Sequence, residues 1–124
     1  MSIKSLGYIG VNATELGKWK DFACNVMGLE DTSASLGDET THYYKMDDHP
    51  YRVFVQQSDA DGLALCGWET NNQSGLDDVA SALTSAGVAF TWGDEATIAK
   101  RRVQNLLSFT DPSGNHHEAY WGVV

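Results

Sequence analysis

Residues 6–29 read Leu6-Gly7-Tyr8-Ile9-Gly10-Val11-Asn12-Ala13-Thr14-Glu15-Leu16-Gly17-Lys18-Trp19-Lys20-Asp21-Phe22-Ala23-Cys24-Asn25-Val26-Met27-Gly28-Leu29. The apolar residues of Leu6 to Val11 suit a strand. From about Glu15 to Met27 the apolar positions Leu16, Trp19, Ala23 and Val26 recur at helical spacing. Asn12, with Glu15 three residues on, offers an N-cap acceptor followed by an acid. Gly28-Leu29 supplies a residue that accepts the left-handed C′ conformation, followed by an aliphatic.

The same order returns roughly 60 residues later, the mark of a duplicated unit. Gly62 to Glu69 is strand-like, and Leu76, Val79, Leu83 and Ala86 repeat the helical stripe. Ser74 with Asp77 offers the second cap, and Gly87-Val88 the second stop. Between and beyond the helices, strand-like runs lie near Asp31 to Leu36, Thr41 to Met46, Tyr51 to Gln57, Val88 to Trp92, Val103 to Thr110 and His116 to Trp121. Asp94 to Arg102 reads as an extra charged turn, and Asp111-Pro112-Ser113-Gly114 as a type I turn. The expected fold class is α+β: one domain over residues 1–124, with two βαβββ modules at about 5–58 and 61–122. They are expected to pair into one curved mixed sheet with the helices outside, because a single copy would leave open sheet edges.

Composition excludes several classes of function. A net charge of −9, with only eight Lys and Arg, repels a phosphate backbone, so no nucleic-acid partner is expected. The basic run Lys100-Arg101-Arg102 reads as a solvated helix end. No apolar run approaches a membrane span, and the N-terminus has no apolar signal core, so a cytoplasmic location is expected. Cys24 and Cys66 fall within a helix and a strand pattern, where thiols serve as small core residues. Trp19 and Met27 fall on or beside the buried stripe; Trp92 and Trp121 end strands, where an aromatic closes a cavity or docks a neighbour.

Ser2 to Gly10, then Trp19-Lys20-Asp21-Phe22 and Met27-Gly28-Leu29, resemble the opening of type I extradiol dioxygenases acting on 2,3-dihydroxybiphenyl and 1,2-dihydroxynaphthalene. The likeness continues through Tyr51-Arg52-Val53, Asp61-Gly62-Leu63-Ala64, Gly67-Trp68, Arg101-Arg102-Val103 and Asp111 to Asn115, ending in Glu118 and Trp121-Gly122. It implies the vicinal-oxygen-chelate fold of the glyoxalase, bleomycin-resistance and dioxygenase superfamily. It also maps the whole chain onto the first, metal-free half of such an enzyme, with Fe(II) in the catalytic domain of the parent. The chain is then expected to be a piece of a longer protein, partnered by a catalytic domain or by copies of itself.

The family holds its iron with two His and one Glu, from the first strand of each module and the last strand of the catalytic domain. Here Tyr8 of Leu6-Gly7-Tyr8 stands where the first imidazole would be, and Gly62 to Trp68 contains no His, Asp or Glu. Only Glu118 matches a ligand position, so no catalytic residue, metal ligand or cofactor is assigned to this chain. Strand alternation puts His116 on the face of Glu118 and His117 on the other. Tyr8, His116 and Glu118 are therefore candidates to line a polar trough, with Tyr8 filling a cavity and its hydroxyl finding a partner such as Glu118. His42 and His49 read as surface residues. Cys66 has no basic sequence neighbour to activate it.

Three functions compete. The first is the structural half of an extradiol ring-cleaving enzyme of aromatic-hydrocarbon breakdown. The second is a stand-alone small-molecule-binding protein, with a small aromatic ligand, of the glyoxalase and bleomycin-resistance type. The third is a one-domain metal-dependent dioxygenase built from Glu118 and His116.

Overall fold

The computed structural model describes residues 2–124. The chain divides into two compact units: Tyr8–Ala64, and the residues through Gly7 together with Leu65–Val124. Their elements are β1 (Ile3–Ala13), α1 (Leu16–Asp21), β2 (Glu30–Asp31), α2 (Ser33–Leu36), β3 (Thr41–Lys45) and β4 (Val53–Gln57), followed by β5 (Gly62–Thr70), α3 (Gln73–Ser85), β6 (Phe90–Trp92), α4 (Glu95–Arg101), β7 (Val103–Thr110) and β8 (His116–Val123). The class is α+β.

The duplication read in the sequence is present in the topology. In the first unit the strand order is β2-β3-β4-β1, and in the second β6-β7-β8-β5. β1 pairs parallel with β4 (Ile9 opposite Val53), and β5 pairs parallel with β8 (Cys66 opposite His117). The remaining neighbours, β2 with β3, β3 with β4, β6 with β7 and β7 with β8, are antiparallel.

Two segments differ from their sequence reading, and they differ in the same place of the repeat. Asp31 to Leu36 is a strand for two residues only and then a helical turn, because the Asp31 carboxylate accepts the Ser33 N–H at 2.8 Å and the Thr32 carbonyl accepts from Ser35 and Leu36. Asp94 to Arg102 is helix α4 and not a charged turn: Asp94 caps it by accepting the Thr97 N–H at 2.8 Å, and Arg102 ends it in the left-handed conformation. Each half is therefore β-α-β-α-β-β.

The caps also shift. Asn12 lies inside β1, where its side-chain oxygen accepts from Gln56 at 2.7 Å, so Glu15 occupies the cap position of α1 without a side-chain bond. Asn72, not Ser74, caps α3 through the Gly75 N–H at 2.9 Å.

At the other ends Gly28 and Gly87 adopt φ of +75° and +73°. After α3, Val88 N–H reaches back to the Leu83 carbonyl and Gly87 N–H to that of Thr84, which satisfies the last carbonyls. After α1 the chain continues through a π-helical turn, Phe22–Val26, and Leu29 N–H reaches one residue further back, to Ala23. That extra residue rotates the stripe. Ala23 stays buried against Val11, Ala13, Leu29, Tyr44, Val53 and Val55, with Leu16, Trp19 and Cys24 packed around them, whereas Val26 (70%) and Met27 (53%) face solvent. The expectation that Met27 is core is thus overturned by the wide turn.

On the opposite side of the first unit's sheet, Tyr8, Tyr43, Tyr51 and Phe54 are all buried, and the rings of Tyr51 and Phe54 lie 5.1–6.3 Å from each other and from those of Tyr8 and Tyr43. In the second unit α3 packs Leu76 and Ala80 onto Leu107 and Ala119, with Val79, Leu83, Phe90, Phe109 and Trp121 around them. Trp121 is tied down by a bond from its indole N–H to Gln73, while Trp92 remains exposed.

Candidate functional site

The last strand places the candidate groups of the second unit. β8 opens directly after the turn Asp111–Asn115, where the Asp111 carboxylate accepts from the Ser113 and Asn115 N–H groups at 2.9 Å and its carbonyl accepts from Gly114. In register with β7, His116 stands opposite Thr110, His117 opposite Phe109 and Glu118 opposite Ser108. Alternation then sends His116, Glu118, Ser108 and Thr110 to one face, and His117 and Phe109 to the helix-bearing face.

A recess of about 510 Å³ is lined by groups of both faces, His116, Glu118, Ser108 and Thr110 as well as His117, Phe109 and Phe90. It therefore wraps around the strand ends; it does not enter the sheet from one side. Tyr8 is not among its lining residues; it sits, 4% exposed, in the aromatic cluster of the first unit. His116 is exposed and its Nδ1 lies a long 3.5 Å from the Thr110 hydroxyl.

Glu118 is 5% exposed, and an Arg reaches both of its oxygens. Arg101 Nε donates to Oε1 at 2.9 Å and Nη2 to Oε2 at 3.1 Å, a two-pronged pair whose side chains are 11% and 7% exposed. The sequence reading of Lys100-Arg101-Arg102 as a solvated helix end fails for Arg101. Its guanidinium turns inward because a buried carboxylate without a matching cation costs several kcal/mol.

His117 is equally committed. The Trp68 indole N–H can only donate, and it lies 3.0 Å from Nδ1, so Nδ1 is the unprotonated acceptor. Nε2–H then donates to the Asp111 carboxylate at 2.8 Å. The ring is stacked between Phe109 (centroids 5.4 Å apart) and Trp68 (6.2 Å). The hydrogen bond from His117, followed by those from Asn115 and Ser113, holds the Asp111 carboxyl well below the ordinary carboxylate range, against a smaller opposing cost of burial. His117 is also the cross-strand partner of Cys66, a basic neighbour that sequence order concealed. With both nitrogens engaged, it has no lone pair left to activate that thiol.

The two remaining histidines are not plain surface groups. His49 Nδ1 lies 3.0 Å from Arg52 Nη2, which together with Nε also grips Asp47. His42 Nδ1 is buried with no hydrogen-bond partner among the described residues.

Iron of the kind the fold family uses does not fit these residues. It needs two imidazoles and a carboxylate with open neighbouring positions. The corresponding groups are the Tyr8 phenol, a β5 strand whose residues through Trp68 include no His, Asp or Glu, and a carboxylate whose oxygens are bonded to Arg101. Among the described residues no three His, Cys, Asp or Glu side chains cluster as a metal site.

The family model described as "Dihydroxybiphenyl dioxygenase BphC D1" matches residues 6–57. The chain is 39% identical over all of its 124 residues to the iron-dependent extradiol dioxygenase of Rhodococcus jostii strain RHA1, of which it spans 41%. Over 98% of its length it is 34% identical to the biphenyl-2,3-diol 1,2-dioxygenase of Sphingomonas paucimobilis, spanning 40% of that protein. Its fold matches a crystal structure of catechol 2,3-dioxygenase with a TM-score of 0.91 at 32% identity, covering 98% of this chain and 40% of that one.

Fold and sequence similarity together identify a domain of the extradiol-dioxygenase type with the vicinal-oxygen-chelate fold. Within that class residues 6–57 match the first-domain family of the dihydroxybiphenyl dioxygenases, and the whole chain aligns with the corresponding part of its biphenyl-diol relatives. It spans about two fifths of the length of the curated relatives it matches. No helix of the described residues is long and apolar enough to cross a membrane.

Proposed function

We propose that this chain is the structural, non-catalytic half of an extradiol ring-cleaving dioxygenase that acts in aromatic-hydrocarbon breakdown. The iron of that enzyme is held by a separate catalytic domain. The observation that carries this reading is the Arg101–Glu118 pair: the single carboxylate at a ligand position is bonded through both oxygens to a guanidinium. The buried Tyr8 phenol points the same way, since it offers no imidazole. The partner is then a catalytic domain, with assembly of several copies as the further level of organisation. Two free thiols accord with a cytoplasmic location.

The test is an assay of the chain alone with 2,3-dihydroxybiphenyl after anaerobic loading with Fe(II), followed by admission of air. No yellow ring-fission product above the free-iron blank is expected. Turnover abolished by Glu118→Ala would overturn the reading in favour of a one-domain enzyme.

The recess beside His116 and Phe109 supports a second reading, a small-molecule site for a flat aromatic. A rise in Tm with added aromatic diol, lost on Phe109→Ala, would favour it.

A further inference from the structure

The misfit between this chain and a metal has a positive side. A carboxylate buried to the extent of Glu118 needs a cation beside it, and Arg101 supplies one with both prongs of its guanidinium. We infer that Arg101 stands in for a divalent cation here, and that by doing so it closes a latent two-ligand transition-metal site made of His116 and Glu118.

The placement of the two groups supports this. They alternate on β8 and so share a face, with Cβ atoms roughly 6–7 Å apart, a span that an ion bonded at about 2 Å to each donor can bridge. Both line the same recess, which gives an ion an entry path. The His116 ring is exposed and meets Thr110 only at 3.5 Å, so it is able to turn. His117 cannot join, because it faces the other way with both nitrogens engaged. An imidazole with a carboxylate suits Zn²⁺ or Co²⁺ better than Mg²⁺ or Ca²⁺. No redox step is involved; the site would bind a cation and leave room for water. The inference shares the Arg101–Glu118 pair with the non-catalytic reading, but it is tested by cation binding and not by ring fission.

Co²⁺ is the probe, read by its visible d–d absorption and by paramagnetic broadening of assigned amide signals in the full chain. The native chain is expected to show no broadening centred on His116 and Glu118. Arg101→Met keeps an unbranched apolar stem and removes the guanidinium and its charge; it should bind Co²⁺ at these residues at least about tenfold more tightly than the native chain does, and lose that gain when His116→Ala is added. Arg101→Lys retains a charge but not the two-pronged grip, and should show a smaller gain in the same place. It serves as the measurement if Arg101→Met does not fold. Native binding at Glu118, or a folded Arg101 variant with no gain over the native chain, would overturn the inference. Cation binding is read without diol or air, so its failure is distinguishable from turnover in the ring-fission assay.

Discussion

The Trp68 indole and the Asp111 carboxylate hold His117 from opposite sides, at 3.0 and 2.8 Å, and between them they fix which ring nitrogen carries the proton. Only a donor can face an acceptor, so the imidazole is neutral with its hydrogen on Nε2. Nitrogen-15 spectra of the imidazole should show Nε2 protonated and Nδ1 bare. Trp68→Phe keeps the aromatic stacking and removes the donor; a loss of about 1 kcal/mol in unfolding free energy is expected, read by urea denaturation. A protonated Nδ1 would contradict the arrangement outright.

Asp111 ties stability to pH. Its carboxyl is held below its ordinary value of 3.8, first by His117 and then by the Asn115 N–H. A carboxyl whose folded pKa is depressed contributes stability that is fully present above the unfolded pKa, and that is lost as pH falls through the folded one. The contribution is thus intact at neutral pH and declines once the pH drops below about 4. Urea midpoints of the native chain and of Asp111→Asn should differ above pH 5 or so and converge as acid is added. A gap that widens with acid would assign the effect to another group.

Gly28 and Gly87 sit at left-handed φ angles with nothing within 4 Å of where a Cβ would be. Alanine at either site therefore meets no clash and pays only for its backbone. Gly28→Ala and Gly87→Ala should each cost about 1 kcal/mol, and the two should add, since they close different helices. Thermal unfolding of the two single variants and the double variant measures this.

Tyr44 is fully buried, and its hydroxyl has no hydrogen-bond partner among the described residues. Burial, with Asp31 next, pushes its pKa up from 10.0 to about 12. Tyr44→Phe should leave stability unchanged or raise it by about 1 kcal/mol, because it deletes a polar atom whose desolvation has no bond to offset it. A clear loss would mean that the hydroxyl is bonded after all.

The duplication was legible because it rests on spacing: the stripes Leu16-Trp19-Ala23 and Leu76-Val79-Leu83 and the glycines after them mark both helices. The π-helical turn at Phe22–Val26 was not, since an added residue in a helix leaves no local signature, and helical spacing alone puts Met27 beside the buried stripe. The short helix α2 was hidden by its small polar residues, whose preference is decided by Asp31 and Thr32 bonding to the backbone, not by any apolar period. At the site, Glu118 could be found because the family resemblance puts a ligand position there, but its partner could not. Arg101 is 17 residues away and belongs to a run that looks like helix-end solvation. A basic residue at the end of an amphipathic turn, followed by an alternating strand that contains one buried acid, was the available signal.

The first strand carries a consequence for how this chain can be divided. Residues through Gly7 belong with Leu65–Val124, and the ties are specific: the Ser2 hydroxyl donates to Asp78 at 3.3 Å, and the Tyr120 hydroxyl lies over Gly7 so closely that no side chain could be added there. The repeat that was copied in the gene and the unit that folds are out of phase by part of a strand. A fragment cut to match the second copy would lack its own opening segment, and that segment would have to be supplied as a separate peptide for the half to close.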